Sequence, residues 1–447
     1  MKKLTLLFLL LSSLAYAADK PNVLFILSDD QSWTDYGFMG HPEIKTPHID
    51  KLASESVVFK RGYVPTALCR PSLMSFATGH YASTHGVTGN DPSRNYWPNG
   101  SDEQHVKRAE LITFIEKFDT LPELLAEAGY LSHQSGKWWE GSYKHGGFTH
   151  GMTRGFPEKG GRAGDDGWKI GREGLEPCKE FIDMAVAKDK PFYMWYAPLL
   201  PHSPHNPPDR LLNKYKDKHP LTIAKYYAMC ELFDETCGEL IGYFEKKGIR
   251  DNTLIVYISD NGWIQDPESR QFVARSKQTA YEGGVRQPMM FSWPGKLKPQ
   301  DRKELVLSLD IFPTILAATG ARQPKKKLPG INLLPYMEDK KEIPRKAIFG
   351  ESFAHDIADL QDYEKTLLYR WCIQGKWKLL LTYDGEVVRF PDIHARTEKR
   401  PQLFDLMKDP HELKNLAAEN PKIVAKMVKQ IDGWYPVKRA KTVKVFE

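Results

Sequence analysis

The sequence predicts an α/β protein: a large, mostly parallel β-sheet sandwiched by helices, with a smaller C-terminal α+β domain. Three apolar runs rich in β-branched and aromatic residues predict strands buried on both faces, at 21–28, 190–196 and 253–259. Apolar residues at helical spacing lie between or beside these runs, at 49–55, 121–128 and 226–246. Strands that alternate with helices are typical of a parallel sheet covered on both faces.

The N-terminus has the pattern of a secretory signal peptide over residues 1–17. Lys2 and Lys3 precede an apolar run at 4–14, and Ala15-Tyr16-Ala17 offers a small-x-small cleavage site. The run is too short to span a bilayer, and no later stretch predicts a membrane span. We therefore expect a periplasmic or secreted protein, the alternative being a buried N-terminal helix.

Two domains are predicted after the signal peptide. A stretch rich in Pro, Lys and Gly at 321–330 marks the end of a catalytic domain that spans 18–330. In the remaining domain, 331–447, the segments 371–383 and 403–406 predict short strands of an antiparallel sheet. Residues 422–434 predict a closing helix.

Net charge limits the classes of binding partner that we expect, and cysteine spacing limits the possible disulfides. The formal net charge is +6, and removal of the two signal-peptide lysines leaves 6 − 2 = +4. Without a clustered basic patch we expect no nucleic-acid binding, whereas mild positive charge favours an anionic substrate. Of the five cysteines, Cys230 and Cys237 share one predicted helix, about 10 Å apart, which is too far for a disulfide.

Oxygen-bearing side chains follow two of the predicted strands. Asp29-Asp30 and Asp260-Asn261 come directly after buried runs, where an open α/β sheet places its ligands. Oxygen donors suit a hard cation such as calcium or magnesium. For either pair alone, a helix cap or a turn is the alternative.

Cys69 is predicted to stand at the start of a helix. Pro71 suits the first helical turn, and Gly79 suits the end of the helix. Backbone donors and the helix dipole at such an N-terminus stabilise negative charge. The alternative is a buried, inert cysteine.

These motifs together resemble the type I sulfatases of the alkaline-phosphatase-like superfamily. The signature is Cys69-Arg70-Pro71-Ser72 followed by a helix that ends in Thr78-Gly79. Further similar motifs, in order, are Asp29-Asp30, Gly136-Lys137-Trp138, the run 201–205, Asp260-Asn261-Gly262, Lys277 with the run 281–286, and the run 403–416. The resemblance implies that a maturation enzyme oxidises Cys69 to formylglycine. It also implies Ca²⁺ held by Asp29, Asp30, Asp260, Asn261 and residue 69.

The resemblance also implies the roles of the pocket residues. Lys137 and Lys277 match lysines that contact the sulfate, and His202 matches the histidine beside the ester oxygen. In that scheme the hydrated aldehyde attacks sulfur, and His202 protonates the departing alcohol. His205, three residues later, is the alternative to His202.

Two positions depart from the family pattern. The arginine four residues after the cysteine is Leu73, and the histidine two residues after the pocket lysine is Trp139. Arg70 is a candidate substitute for the arginine. The candidate substitutes for the histidine are His145, His150 and His85.

Aromatic side chains in the predicted pocket loops indicate a carbohydrate substrate, because sugar rings present apolar faces. They are Trp138, Trp139, Tyr143, Trp168, Trp195 and Trp263, with core packing as the alternative for each. Further sulfates or carboxylates would suit Arg162, Arg270, Arg275 and Arg286. Export and these features favour a sulfated carbohydrate, with Trp139 among the substrate-binding residues. The rivals are a phosphonate or phosphodiester hydrolase, and an inactive sulfated-glycan-binding relative.

Overall fold

The computed structural model of the protein describes residues 20–158, 166–386, 389–390, 398 and 400–437. The predicted signal peptide and Arg162 lie outside these residues. The strands are β1 (Asn22–Ser28), β2 (Val57–Phe59), β3 (Gly62–Tyr63), β4 (Asp91–Pro92), β5 (Leu131–Gly136), β6 (His150–Gly151), β7 (Phe192–Ala197), β8 (Thr253–Ser259), β9 (Met289–Ser292), β10 (Gln300–Arg302), β11 (Val306–Leu307), β12 (Ala347–Phe353), β13 (Asp356–Ile357), β14 (Leu367–Gln374), β15 (Trp377–Thr382) and β16 (Gln402–Asp405). The helices are α1 (Pro47–Ser54), α2 (Cys69–Thr78), α3 (Ala82–His85), α4 (Asp102–Ile112), α5 (Leu121–Glu127), α6 (Glu176–Ala187), α7 (Asp209–Leu212), α8 (Leu221–Lys246), α9 (Glu282–Val285), α10 (Ile311–Thr319), α11 (Leu334–Asp339) and α12 (Pro421–Trp434).

The main sheet has eight strands in the order β10-β2-β9-β8-β1-β7-β5-β6. Among the described strands of this sheet, only β9 runs antiparallel to its neighbours, β2 and β8. The predicted α/β fold with a mostly parallel sheet is therefore confirmed. The three predicted strands correspond to β1, β7 and β8, which lie side by side at the centre.

Helices cover both faces of this sheet because the central strand is apolar at nearly every position. Val23, Phe25 and Leu27 face a core built with α2, α5 and α10, which is the first apolar cluster. Leu24 and Ile26 face the opposite core, built with α1, α6 and α8. Alternate side chains of a strand point to opposite faces, so a continuous apolar run requires two apolar cores.

The C-terminal sheet is antiparallel, in the order β12-β14-β15-β16, with the closing helix α12 packed against it. The run predicted at 371–383 is a hairpin of β14 and β15. This sheet lies against the segment that leads into α2, where Glu351 N donates to Pro65 O at 2.9 Å. The boundary at residue 330 stays a prediction.

The five cysteines are all buried and free, as predicted for Cys230 and Cys237. None of the described helices combines the length and apolar composition that a membrane crossing requires.

Candidate active site

The candidate site lies at one edge of the main sheet, where four neighbouring parallel strands end. In sheet order these strands are β8, β1, β7 and β5. The residues that follow them are Asp260-Asn261, Asp29-Asp30, the loop that carries His202, and Lys137. Carboxyl ends of parallel strands share one edge, so residues far apart in sequence meet here.

The pairs Asp29-Asp30 and Asp260-Asn261 are joined through the backbone of Asp30. This residue adopts a left-handed conformation with φ of 62°, which is uncommon outside glycine. Its N–H donates to Asp260 Oδ1 at 3.2 Å, and its carbonyl accepts from the Tyr226 hydroxyl at 3.2 Å. The fold thereby holds a strained residue in place at the site.

Cys69 is the first residue of α2, after Leu68 in an extended conformation. Its Sγ lies 3.9 Å from Asp30 Oδ1 and 3.1 Å from Lys277 Nζ. Burial raises the pKa of the Cys69 thiol to about 12, although Lys137 and Lys277 oppose the shift. An unmodified Cys69 is therefore a protonated thiol and a poor nucleophile.

Two buried lysines are held by the carboxylates of the site. Lys137 Nζ lies 2.7 Å from Asp29 Oδ1 and 3.1 Å from Asp260 Oδ2, while Lys277 Nζ lies 2.5 and 2.6 Å from the oxygens of Asp30. Burial opposes their charge, but the carboxylates outweigh it and hold the pKa of both lysines above the usual range. Both therefore stay cationic, as anion contacts require.

His202 presents its Nε2 to the same cluster. Its Nδ1 donates to the carbonyl of Ser203 at 2.6 Å, and its Nε2 lies 3.5 Å from Asp30 Oδ2. Burial lowers the pKa of His202 despite the nearby carboxylates. Arg172, which the sequence did not single out, donates to the carbonyls of Leu199 and His202 at 2.7 and 3.2 Å and positions this loop.

The oxygens of the cluster fit a hard cation. Asp29 Oδ2 and Asn261 Oδ1 are buried and have no hydrogen-bond partner among the described residues, although Asn261 Nδ2 donates to Asp30 Oδ1 at 2.7 Å. Four ligand atoms lie within 4.8 Å of one another, one each from Asp29, Asp30, Cys69 and His202. Asp260 is outside this tight group and faces Lys137. A calcium ion would satisfy the orphaned oxygens.

The structure explains one departure from the family pattern and corrects its expected substitute. Leu73 is buried in the first apolar cluster. The guanidinium of Arg70 forms a two-pronged ion pair with the Glu140 carboxylate at 2.7 and 2.8 Å, and also donates to Asn90 O. Its charge is therefore engaged by the segment that carries Lys137, and its described contacts include no group of the metal cluster.

At the second departure, the ring of Trp139 stands beside the cluster, with its centroid 5.5 Å from Lys137 Nζ. An aromatic wall thus replaces an ionisable side chain. None of the expected substitutes has a described contact with the cluster. His85 bonds Ser75, His145 bonds Glu116, and His150 bonds Thr149.

The structure instead places His355 near the site, a residue that no sequence motif indicated. Its Nδ1 donates to Asp356 Oδ1 at 2.5 Å, and its Nε2 lies 3.2 Å from Asn90 Nδ2. Asn90 Oδ1 in turn accepts from the N–H of Arg70, next to Cys69, at 3.1 Å. Burial lowers the pKa of His355, and Lys277 is close enough to add to this effect.

The prediction that these aromatic residues surround the pocket is wrong in part. Trp138 and Trp195 are core residues, 1% exposed, with their rings in edge contact at 5.7 Å. Trp263, in contrast, lies 5.5 Å from Lys277 Nζ, and Trp168 packs on Arg172. Tyr143 is partly buried against the first apolar cluster.

The fold and this site define a hydrolase of the alkaline-phosphatase-like class. Residues 21–321 match the family model for sulfatases, and residues 272–434 match that for the C-terminal part of N-sulphoglucosamine sulphohydrolase. The chain therefore belongs to the sulfatase family, and it is a sulfuric ester hydrolase.

Known proteins resemble the chain over nearly its whole length. Arylsulfatase A of Bos taurus is 28% identical, with 93% of this chain and 87% of the relative covered. N-acetylgalactosamine-6-O-sulfatase of Bacteroides thetaiotaomicron is 24% identical, with 93% of each covered. Among solved structures, a sulfatase from Pseudoalteromonas sp. is 21% identical with a TM-score of 0.70, covering 93% of this chain and 90% of that one. The phosphonate monoester hydrolase of Agrobacterium radiobacter is 20% identical with a TM-score of 0.68, covering 93% and 95%.

Proposed function

We propose that the protein is an exported sulfatase that hydrolyses a sulfate ester on a sulfated carbohydrate, using Ca²⁺ and a formylglycine derived from Cys69. The observation that carries this proposal is the position of Cys69, buried between two lysines and an oxygen-rich cluster at the sheet edge. The carbohydrate substrate is supported by the relatives named as N-acetylgalactosamine-6-sulfatases. Export is supported by the N-terminal sequence pattern.

The family resemblance and the unpartnered oxygens of Asp29 and Asn261 support the proposed cofactor residues. Asp29, Asp30, Asp260 and Asn261, together with residue 69, would hold Ca²⁺. Formylglycine at position 69 would supply a hydrated aldehyde as nucleophile, and Ca²⁺ would supply charge stabilisation. Conversion of Cys69 requires a maturation enzyme as partner.

The chain's own side chains bind the sulfate and move the proton. Lys137 and Lys277 bind sulfate oxygens as cations that the carboxylates of the site hold in place. Because their ammonium groups are buried, water screens their attraction to the sulfate only weakly. His202 donates a proton from Nε2 to the departing alcohol oxygen in its imidazolium form, because Nδ1–H is held by Ser203 O and only the doubly protonated ring carries a proton on Nε2. His205 packs against Tyr226 and Trp263, at ring distances of 5.4 and 6.2 Å, and lines the neighbouring cavity, where it would contact the rest of the substrate.

The rival is a phosphonate or phosphodiester hydrolase, since one such enzyme shares the fold. The deciding experiment compares kcat/KM on monosulfated sugars with kcat/KM on phosphonate monoesters and phosphodiesters. Faster release of sulfate supports the proposal, and faster phosphorus-ester hydrolysis contradicts it. Tight glycan binding without release of sulfate would favour the inactive relative.

Loss of one orphaned oxygen should remove calcium binding. In the Asp29→Asn variant we expect Ca²⁺ to lose its stabilising effect, which for the native site is about 2.7 kcal/mol at a concentration 100 times the Kd. Calorimetric titration and thermal melts with and without a chelator measure this. The exposed Asp339→Asn variant is the control and should keep the native response; an equal response in Asp29→Asn would contradict the calcium site.

His355 is proposed to supply the ionisable group that is missing at position 139. Asp356 orients its ring and Asn90 links it to the start of α2. Replacing it by alanine should lower kcat about 100-fold, the lower end of general acid–base effects. His145→Ala is the matched control, since His145 pairs with exposed Glu116. Equal kcat values for the two variants would remove His355 from the mechanism.

A further inference from the structure

We propose that a cavity beside His202 is a second anion subsite, which binds another acidic group of the same glycan. The cavity has a volume of about 460 Å³. Its lining residues are Ser203, Pro204, His205, Leu221, Thr222, Lys225, Gln265 and Arg270. The subsite rests on the proposed function for its class of substrate, and it narrows that class to carbohydrates with two negative charges.

The cavity carries two cations and no acid among its lining residues. Neither Lys225 nor Arg270 has a described carboxylate within ion-pair distance. Two other cations of the same region are neutralised: Arg210 pairs with Glu235, and Lys214 with Glu231. Unpaired cations that line a concave surface are an electrostatic match for an anion.

The cavity joins the reaction centre through His205. This residue shares a short loop with His202, and its buried Nε2 has no hydrogen-bond partner among the described residues. Its ring packs on Tyr226 and Trp263, at 5.4 and 6.2 Å, and Tyr226 also bonds Asp30. The loop that carries His202 and His205 therefore borders both the metal cluster and the cavity, which places the two within reach of one oligosaccharide.

The other walls suit a sugar ring. Leu221, at the start of α8, is 55% exposed and presents an apolar surface. Gln265 Nε2 donates to the carbonyls of Asp266 and Ser269 at 3.0 and 2.8 Å, which fixes the loop that carries Arg270. Apolar surface beside fixed cations is the combination that a charged sugar requires.

The bound group is a sulfate ester or a carboxylate, because both present oxygens to lysine and arginine. Three probes separate these sources: a monosulfated glycosaminoglycan monosaccharide, a disulfated disaccharide, and a monosulfated disaccharide that contains a uronate. Binding is measured by calorimetry on Cys69→Ala protein, so that hydrolysis does not interfere. The second variant adds Lys225→Met and Arg270→Gln to this background.

We expect the added substitutions to weaken binding of a doubly charged probe about tenfold or more, and to change binding of the monosulfated probe much less. A loss of affinity for the disulfated probe indicates a sulfate subsite, and a loss of affinity for the uronate probe indicates a carboxylate subsite. Lys216→Met, at an exposed lysine outside the cavity, is the control and should leave all three affinities unchanged.

An equal loss for all three probes, or no loss for any, would overturn the subsite. Failure of the proposed function is a different result. In that case the wild-type protein, which retains Cys69, Lys225 and Arg270, releases no sulfate from any probe, while the difference in affinity between singly and doubly charged probes persists in the Cys69→Ala protein.

Discussion

Replacement of Cys69 by serine should lower kcat on a sulfated sugar by about 10⁴- to 10⁶-fold, the scale seen when an enzyme loses its nucleophile. The reason is chemical. A serine attacks sulfur weakly, and the ester it forms has no internal route for release. Turnover on a monosulfated sugar is the measurement, on Cys69→Ser protein whose substituted side chain is verified by mass to be an unmodified serine.

The matched control for this variant is Cys372→Ala. Cys372 is also buried and free, but it lies on β14 in the C-terminal sheet. Its replacement removes a small apolar side chain and should affect stability more than turnover. Full multiple turnover by Cys69→Ser would contradict the scheme, whatever the control shows.

The largest effect on stability is expected at Glu140. The Arg70–Glu140 pair is almost fully buried, with side-chain exposures of 2% and 4%. In Glu140→Gln the guanidinium keeps its charge without a carboxylate partner, which costs about 3–5 kcal/mol of unfolding free energy. Urea unfolding measures the loss. Activity should fall as well, because the ion pair of Glu140 with Arg70 holds the segment that carries Lys137 and Trp139 against the start of α2.

Glu116→Gln provides the comparison. Glu116 also loses an ion pair, with His145 at 2.7 Å, but its side chain is 59% exposed. An exposed pair contributes about 0–1 kcal/mol, so this variant should unfold close to the native midpoint. Similar losses for both variants would show that Arg70 is not held by a desolvated pair.

The elements with a strong apolar pattern could be predicted from the sequence. β1 and β8 are apolar at nearly every position, and they are followed directly by Asp29-Asp30 and Asp260-Asn261. Adjacent parallel strands with polar ends bring those pairs together without further information. The helix that begins at Cys69 was equally predictable, since Pro71 and Gly79 mark its two ends.

Other parts of the site had no local signal. β5 has the polar sequence LSHQSG, so the strand that positions Lys137 was not predicted, and Lys137 was recognised only by its resemblance to a family motif. Trp138 and Trp139 are neighbours in sequence, yet one is a core residue and the other stands beside Lys137. Periodicity does not reveal which of two adjacent aromatic residues faces a pocket.

Arg172 and His355 were missed for a related reason. Each acts from a loop or from the C-terminal region, and its partners lie far away in sequence: His202 for Arg172, and Asn90 for His355. Arg70 shows the converse, because proximity in sequence to Cys69 suggested a role that its pairing with Glu140 does not support. The roles of these three residues depend on contacts with residues distant in sequence, and such contacts are visible only in the folded structure.

The most direct test is the mass of the peptide that contains residue 69, from protein exported by a host that has a formylglycine-maturation enzyme. The proposed mechanism predicts that the thiol sulfur has been replaced by an aldehyde oxygen, and that turnover rises in proportion to the converted fraction. Fully active protein in which Cys69 is unmodified would contradict it.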